Sequence, residues 1–378
     1  MVSVGFDSEV SLGSIEKYAS LGPSAGLFSD LVENLIVALR SFSRNPYLLV
    51  EFEEKFLFPR LENAGSIESH HGVIDILRIP AESIKSFEVL NILRNFPVPI
   101  VLEGLASESE AVRNWTPNFF KENYGAFEVL VDYPRRQEAK RAIPLSEVVD
   151  EIQSGSDCGH YVANVSDIFL QYPELETQLP IETIRHDYLD HKKLAYIHLF
   201  MGGPGTGTDF HCANGVNFFV NIHGRKEWQF VNPKHSAWMY PVVNVSGVYG
   251  SSAVDFRKSQ EEHRQACPLY EQIPVYKTIL NPGDVLVNPP WWWHAIRNVT
   301  PSSIGCATRW LVPTKPINPF YTFLTLAWCR PAFLKSVLSK TDSRLSDANS
   351  RKNHSDGYEM VMNNRKRFWL KEDQYFSS

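Results

Sequence analysis

A mainly β fold, an antiparallel double sheet or barrel with helices flanking it at both ends, is what this sequence predicts. Three observations carry that expectation. Six short runs between 194 and 312 are rich in β-branched and aromatic residues. Glycine and proline separate them at short intervals, as turns between strands require. Helical patterns dominate the two ends of the chain.

In chain order, the first element is FSDLVENLIVALRSF over residues 28–42, where Leu31, Leu35, Ile36, Ala38 and Leu39 recur at helical spacing and Ser29 stands ready to cap. FPVPIVLEG (96–104) reads as an extended segment fenced by prolines. WTPNFFKENYG (115–125) opens a short helix, with Thr116 at the cap and Pro117 in its first turn. FEVLVD (127–132) reads as a strand. The strand-rich core then runs LAYIHLF, NFFVNI, EWQFV, VYKTIL, DVLVN and IGCATRWLV, ending at residue 312. The glycine cluster GGPGTG (202–207) leads into another strand rather than a helix, so it is a loop and not a dinucleotide cradle. Beyond 313 the pattern turns helical, with a polar stretch at 340–356. These readings divide the chain into a helical lead-in (1–94), a barrel (95–312) and a C-terminal helical segment with a polar linker (313–378).

Composition removes several function classes. A net charge of −6 gives no basic footprint for nucleic acid. No apolar run approaches the roughly 20 residues of a membrane-spanning helix, and the first residues lack the apolar centre of a secretory signal. Cys158, Cys212, Cys267, Cys306 and Cys329 are scattered with no C-x-x-C pair, which fits reduced thiols in a cytoplasmic protein better than a zinc knuckle.

One stretch carries chemistry: TDFHCANGVNFFVNIHGRKEW, residues 208–228. On a strand, residues i and i+2 face the same way. An H-x-D pair there presents an imidazole and a carboxylate to one metal, and a distant histidine completes the facial triad that leaves three positions open on Fe(II). His211 begins such a pair, but Ala213 stands where the carboxylate belongs. The distant histidine is His294, 294 − 211 = 83 residues on, in PGDVLVNPPWWWHAIRN. Asp209, two residues before His211, shares its face if the strand is regular and is a substitute donor. Alternation puts Phe219 and Asn221 on the face of Asn217 as pocket candidates. It also splits the tryptophan run, leaving Trp292 as a candidate pocket wall. Arg309 falls on the opposite face from Thr308. His198 suits a core or surface position better than a ligand.

The PGD turn, the P-x-W-W-W-H run, the N-F-F…G-R-K-x-W stretch and the upstream PVPIVLEG…WTPNFFKENYG together resemble the cupin-fold JmjC group of Fe(II)/2-oxoglutarate oxygenases over roughly residues 95–312. The resemblance implies a double-stranded β-helix (cupin or jelly-roll barrel) and the cofactors Fe(II), 2-oxoglutarate and O2. It places His211 and His294 on the metal histidines and Lys226 on the lysine that grips the distal carboxylate of 2-oxoglutarate. Thr208, Asn217 and Thr308 fall on polar positions beside that co-substrate. The resemblance also makes the C-terminal helices the natural contact of a homodimer.

Ala213 departs from the group. Related halogenases outside it carry Ala or Gly there, and chloride takes the open coordination position. The expected function is therefore C–H functionalisation with chlorination favoured, on an aliphatic carbon of a small-molecule, amino-acid or peptide substrate. A hydroxylase with Asp209 or water as the third donor, and a binding protein that has lost turnover, remain the alternatives.

Overall fold

The computed structural model describes residues 27–314, except 44, 46–47, 58, 60–72, 85, 133–140, 156–159, 214, 244–248 and 256–257. The C-terminal helical segment expected beyond 313 lies outside the described residues, apart from its first two.

Eight strands build the barrel: β1 (Leu194–Gly202), β2 (Gly207–Ala213), β3 (Val216–His223), β4 (Lys226–Val231), β5 (Val275–Leu280), β6 (Val285–Asn288), β7 (Trp293–Asn298) and β8 (Ser303–Trp310). They divide between two facing sheets, ordered β6-β3-β8-β1 and β5-β4-β7-β2, with every pairing antiparallel. This is the double-stranded β-helix that the sequence predicts. Shorter strands widen each sheet. Residues 100–103 and 77–80 follow β6, and 161–165, 128–132 and 141–144 follow β1, while 73–75 flanks β5 and 249–252 and 241–243 follow β2. The two strands between 73 and 80 fall inside the stretch read as a helical lead-in. They are too short and too mixed for a periodic signal, and both enter by parallel pairing at an edge.

Local sequence explains the barrel strands. In β5, Tyr276, Thr278 and Leu280 are buried while Val275, Lys277 and Ile279 are not, the alternation of a sheet with one covered face. In β3 and β8 nearly every residue is buried, because helices cover the larger sheet from outside. The β3–β4 turn needs Gly224: its φ is +67°, and a Cβ there would lie 2.1 Å from the Ser302 carbonyl oxygen. The β5–β6 turn is fixed by Asp284, whose carboxylate accepts the Asn281 N–H at 2.9 Å and pairs with Arg78 at 2.7 Å.

Outside the larger sheet lie α2 (Ser86–Asn95), α3 (Pro117–Tyr124) and α4 (Leu145–Gln153), together with a helical turn at Ile184–Tyr188. Thr116 caps α3 by accepting the Phe119 N–H at 3.1 Å, as expected. The outer face of the smaller sheet (Phe210, Cys212, Val231, Trp293, Ala295) packs against Trp238, Tyr270 and Val37 of α1 (Leu27–Ser43).

The stripe chosen for α1 from periodicity is only partly the buried one. Ile36 and Ala38 are buried, together with Val37 and Arg40 outside the stripe, while Leu31, Leu35 and Leu39 are exposed. Periodicity finds an apolar stripe but not which side the barrel covers. Here the covered side carries a buried ion pair: Arg40 meets Glu53 at 2.5 Å, donates to the Ala237 carbonyl at 3.2 Å and lies over the Tyr240 ring. Arg40→Ala would strand the Glu53 carboxylate, so it is expected to lower unfolding stability by about 3–5 kcal/mol. A urea melt of the variant checks this. Among the described residues no helix is long and apolar enough to cross a membrane.

Candidate metal and co-substrate site

His211 on β2 and His294 on β7 are direct cross-strand partners, although 83 residues separate them (294 − 211). Their ring centroids are 4.1 Å apart inside the barrel. Each ring is held the same way: His211 Nδ1 lies 2.8 Å from the Asp209 carbonyl oxygen, and His294 Nδ1 lies 2.8 Å from that of Trp292. A carbonyl only accepts, so Nδ1 carries the proton and Nε2 the lone pair, the tautomer of a metal-ligating imidazole. Burial pushes His294 down to about 3; its bond to Trp292 opposes this and the Arg309 charge adds to it, so the ring is neutral at pH 7.

Ala213 is half-buried, two residues along β2 from His211, and its carbonyl accepts the Trp291 N–H at 2.7 Å. Asp209 does not complete the site. β2 is not regular: His211 pairs with His294 but Thr208 pairs with Ile296, so Asp209 and Phe210 together face Ala295. This bulge breaks the alternation that would have aligned Asp209 with His211. It also brings Thr208 opposite Ile296, on the inner face. Among the described residues, no group of three or more His, Cys, Asp or Glu side chains converges as a metal site.

Lys226 is fully buried on the inner face of β4, and among the described residues no carboxylate pairs with it. Its Nζ donates to Asn298 Oδ1 at 2.6 Å, and Asn298 donates in turn to Thr206 Oγ1 at 2.9 Å. Burial pulls its pKa down from 10.5 to about 7. Phe230, four residues further along β4, pairs with His294. Lys226 therefore sits roughly 13 Å along the strands from the histidine.

The facing sheet completes the interior. Asn217 on β3 is buried, opposite Asn288 of β6 and Arg309 of β8, and its Oδ1 has no hydrogen-bond partner. Phe219 meets Trp228 edge-on at 4.9 Å and Phe200 at 5.9 Å, and a side chain at Gly305 would strike its ring. Trp228 stacks along His294 at 5.7 Å. These contacts make Phe219 an inner wall, as alternation predicts.

Three expected site residues stand elsewhere. Thr308 lies on the outer face of β8: its hydroxyl donates to the Phe218 carbonyl at 2.8 Å and accepts from the Trp310 indole, which meets Arg185 outside the barrel. Arg309 is the residue of that pair on the inner face. Trp292 faces inward but is sealed in the core, its Nε1 donating to the Pro97 carbonyl at 2.7 Å. Asn221 spends its Nδ2 on the Gly224 and Leu280 carbonyls and so clamps the β3–β4 turn, while its buried Oδ1 has no hydrogen-bond partner. His198, expected to be a core or surface residue, is buried on the inner face of β1 beside Tyr196, 4.8 Å away. Asn288 and Asn298, which touch His294 and Lys226, carry no sequence signal beyond their strands. A cavity of about 460 Å³ beside the start of β1 is lined by Arg185, His191, Lys193 and Tyr196 among others, and neither His211 nor His294 lines it.

A profile of the cupin-like domain matches residues 89–311. Among curated proteins, JmjC domain-containing protein D of Dictyostelium discoideum is 27% identical over 226 residues, 54% of this chain and 50% of that protein. Lysine-specific demethylase 8 of Xenopus tropicalis is 26% identical over 207 residues, 53% and 45% of the two chains. The HSPB1-associated protein 1 homolog of Danio rerio is 30% identical over 114 residues, 28% and 24%. The matched stretch spans half or less of each of these relatives.

Proposed function

The chain belongs to the cupin-like domain family, and from that premise we propose that its barrel carries out an Fe(II)- and 2-oxoglutarate-dependent oxidation of a substrate C–H bond. One observation carries the reading: a fully buried Lys226, with no carboxylate against it among the described residues, shares an interior with two imidazoles whose Nε2 atoms hold the lone pairs. A cation buried against a single amide is costly unless an anion joins it. The residues fit the group: His211 and His294 suit Fe(II), and Lys226, with Asn298 and Thr206 behind it, suits the distal carboxylate of a dianion.

Bound there, iron would activate O2 as the oxidant, and 2-oxoglutarate would supply two electrons by its oxidation to succinate and CO2. The chain's own residues bind and orient. The Asp209 and Trp292 carbonyls lock the imidazole tautomers. Lys226 fixes one end of the co-substrate. Trp228, Phe219 and Phe200 exclude water around it, and Thr208 and Asn217 present polar atoms to the same space. The relative named as a lysine-specific demethylase supports amino-acid side chains as the substrate class.

Chlorination is the second reading, favoured by the half-buried methyl of Ala213 on the strand of His211 and by the lack, among the described residues, of a carboxylate joining the two histidines as a third donor. A halide would bring the single negative charge that an Asp would have brought. The test is succinate formation from 2-oxoglutarate with Fe(II) under air, with and without chloride, in the wild type and in Ala213→Asp. An Fe(II)-dependent yield of succinate is expected from the wild type. Ala213→Asp ends product chlorination in a halogenase and preserves or raises succinate yield in a hydroxylase. No succinate and no bound metal would turn the protein into a binding module.

A further inference from the structure

The cavity beside the start of β1 has no part in the reading above, and we propose that it is a second ligand site, for a small organic anion: a carboxylate carried on an apolar body. Its volume of about 460 Å³ falls in the range of roughly 300–1,000 Å³ that encloses small molecules. Phe169 and Ile197 are buried and give it an apolar floor, while His191 and Lys193 are exposed at its mouth. Four basic side chains line it, Arg185, His191, Lys192 and Lys193, against one carboxylate, Glu176. That balance runs against the chain as a whole, whose net charge is −6.

Two of these cations have carboxylate neighbours. Arg185 meets Glu182 at 2.5 Å and Lys192 meets Asp190 at 3.6 Å, and both carboxylates are well exposed. Water screens such pairs, so they cancel little of the field inside the cavity. Among the described residues no carboxylate pairs with Lys193. The Arg185 guanidinium also lies over the Trp310 ring, 5.9 Å from its centroid, which fixes its place on the wall.

The backbone gathers these groups at a cost. Ile184–Tyr188 is a π-helical turn, and Asp190 and His191 after it are both left-handed, at φ +45° and +57°, although neither is glycine. Such features persist where the surrounding structure over-determines them, and they concentrate at ligand sites. Here the sharp turn lets consecutive Lys192 and Lys193 line one cavity, where a regular strand would send them to opposite faces. The space itself comes from the sheet. The last register pair between strand 161–165 and β1 joins Val165 to Leu199, and the cavity fills the wedge beyond it, between Ser166 and residues 194–197.

The site is distinct from the metal interior. Tyr196 on its wall is in register with Arg309, Arg309 with Asn217 and Asn217 with Asn288, whose amide lies against the His294 ring. Three strand spacings, roughly 14 Å, therefore separate the cavity wall from that ring.

The experiment is a calorimetric titration of 6-bromo-2-naphthoate and of its neutral isostere 6-bromo-2-naphthamide into wild type, Lys193→Glu and Lys226→Met. It is joined to a bromine anomalous-scattering map of wild-type crystals soaked with the acid. Lys193 is exposed, so its variant is expected to fold, which circular dichroism checks. Expected are wild-type affinity for the acid at least about tenfold above that for the amide, and a loss of at least about tenfold in Lys193→Glu. Lys226→Met should bind the acid as wild type does, and the map should place bromine in the cavity. Equal affinity for acid and amide, a folded Lys193→Glu that binds as wild type does, or bromine elsewhere overturns the proposal. Loss of the acid in Lys226→Met puts the probe inside the barrel and overturns it too. No arm uses metal or 2-oxoglutarate, so the outcome is independent of the iron reading.

Discussion

Replacing Lys226 by methionine is expected to do two opposite things: stabilise the unliganded protein and remove its affinity for 2-oxoglutarate. Lys226 is fully buried with a pKa lowered to about 7, and unfolding returns it to 10.5. The sign follows from proton linkage. Below pH 7 both states hold the proton and the folded state bears the full burial penalty. Between 7 and 10.5 only the unfolded state holds it, so stability rises with pH. Above 10.5 neither does, and the penalty is gone. The shift corresponds to about 5 kcal/mol at most. Methionine removes that penalty but strands the Asn298 oxygen, an offset of about 1–3 kcal/mol. A net gain of roughly 1–3 kcal/mol at pH 7 is expected, shrinking toward pH 10, in urea melts across pH. Affinity for 2-oxoglutarate should fall by a few hundredfold, the roughly 3–4 kcal/mol of a truncated buried charge contact. In the wild type the co-substrate must meet a protonated lysine, so binding takes up a fraction of a proton near pH 7 and weakens as pH rises. Calorimetry in buffers of different ionisation enthalpy reads this directly.

His211→Ala is expected to abolish metal binding, by at least about a hundredfold, while the barrel stays folded. The variant removes one of two imidazoles and loses the packing of its ring on His294 at 4.1 Å. That packing is worth about 1–2 kcal/mol. His198→Ala is the matched control. His198 also lines the interior, but from β1 on the facing sheet, in register with Ala307 rather than with either ligand. Its loss should leave Mn(II) affinity within a few-fold of wild type. Equal losses from the two variants would mean that the His211–His294 pairing confers no special affinity.

Six of the eight barrel strands were legible because each is a short apolar run closed by Gly or Pro, and β5 matches its run residue for residue, whereas β2 and β7 were marked only by the motifs around His211 and His294. The pairing of His211 with His294 was legible only through motifs, since nothing local links residues 83 apart (294 − 211). Faces were less legible. In β8 both sides are buried, so Thr308 and Arg309 look alike to any hydropathy pattern, and only the partner strands decide which points inward. The bulge that displaces Asp209 and admits Thr208 is set by the ladder with β7 and leaves no mark in TDFHCA. Trp292 and Asn221 have polar atoms that a reader of sequence offers to a ligand and the fold spends on Pro97, Gly224 and Leu280. Asn288 and Asn298 were invisible because a lone asparagine at a strand end has no spacing to betray it.

One interior is expected to hold a divalent ion and 2-oxoglutarate together. Calorimetric titration of 2-oxoglutarate into the protein, with and without Mn(II), tests this. One-site binding is expected that requires the metal and that Lys226→Met and His211→Ala each abolish. Binding that ignores the metal, or survives both substitutions, would contradict it.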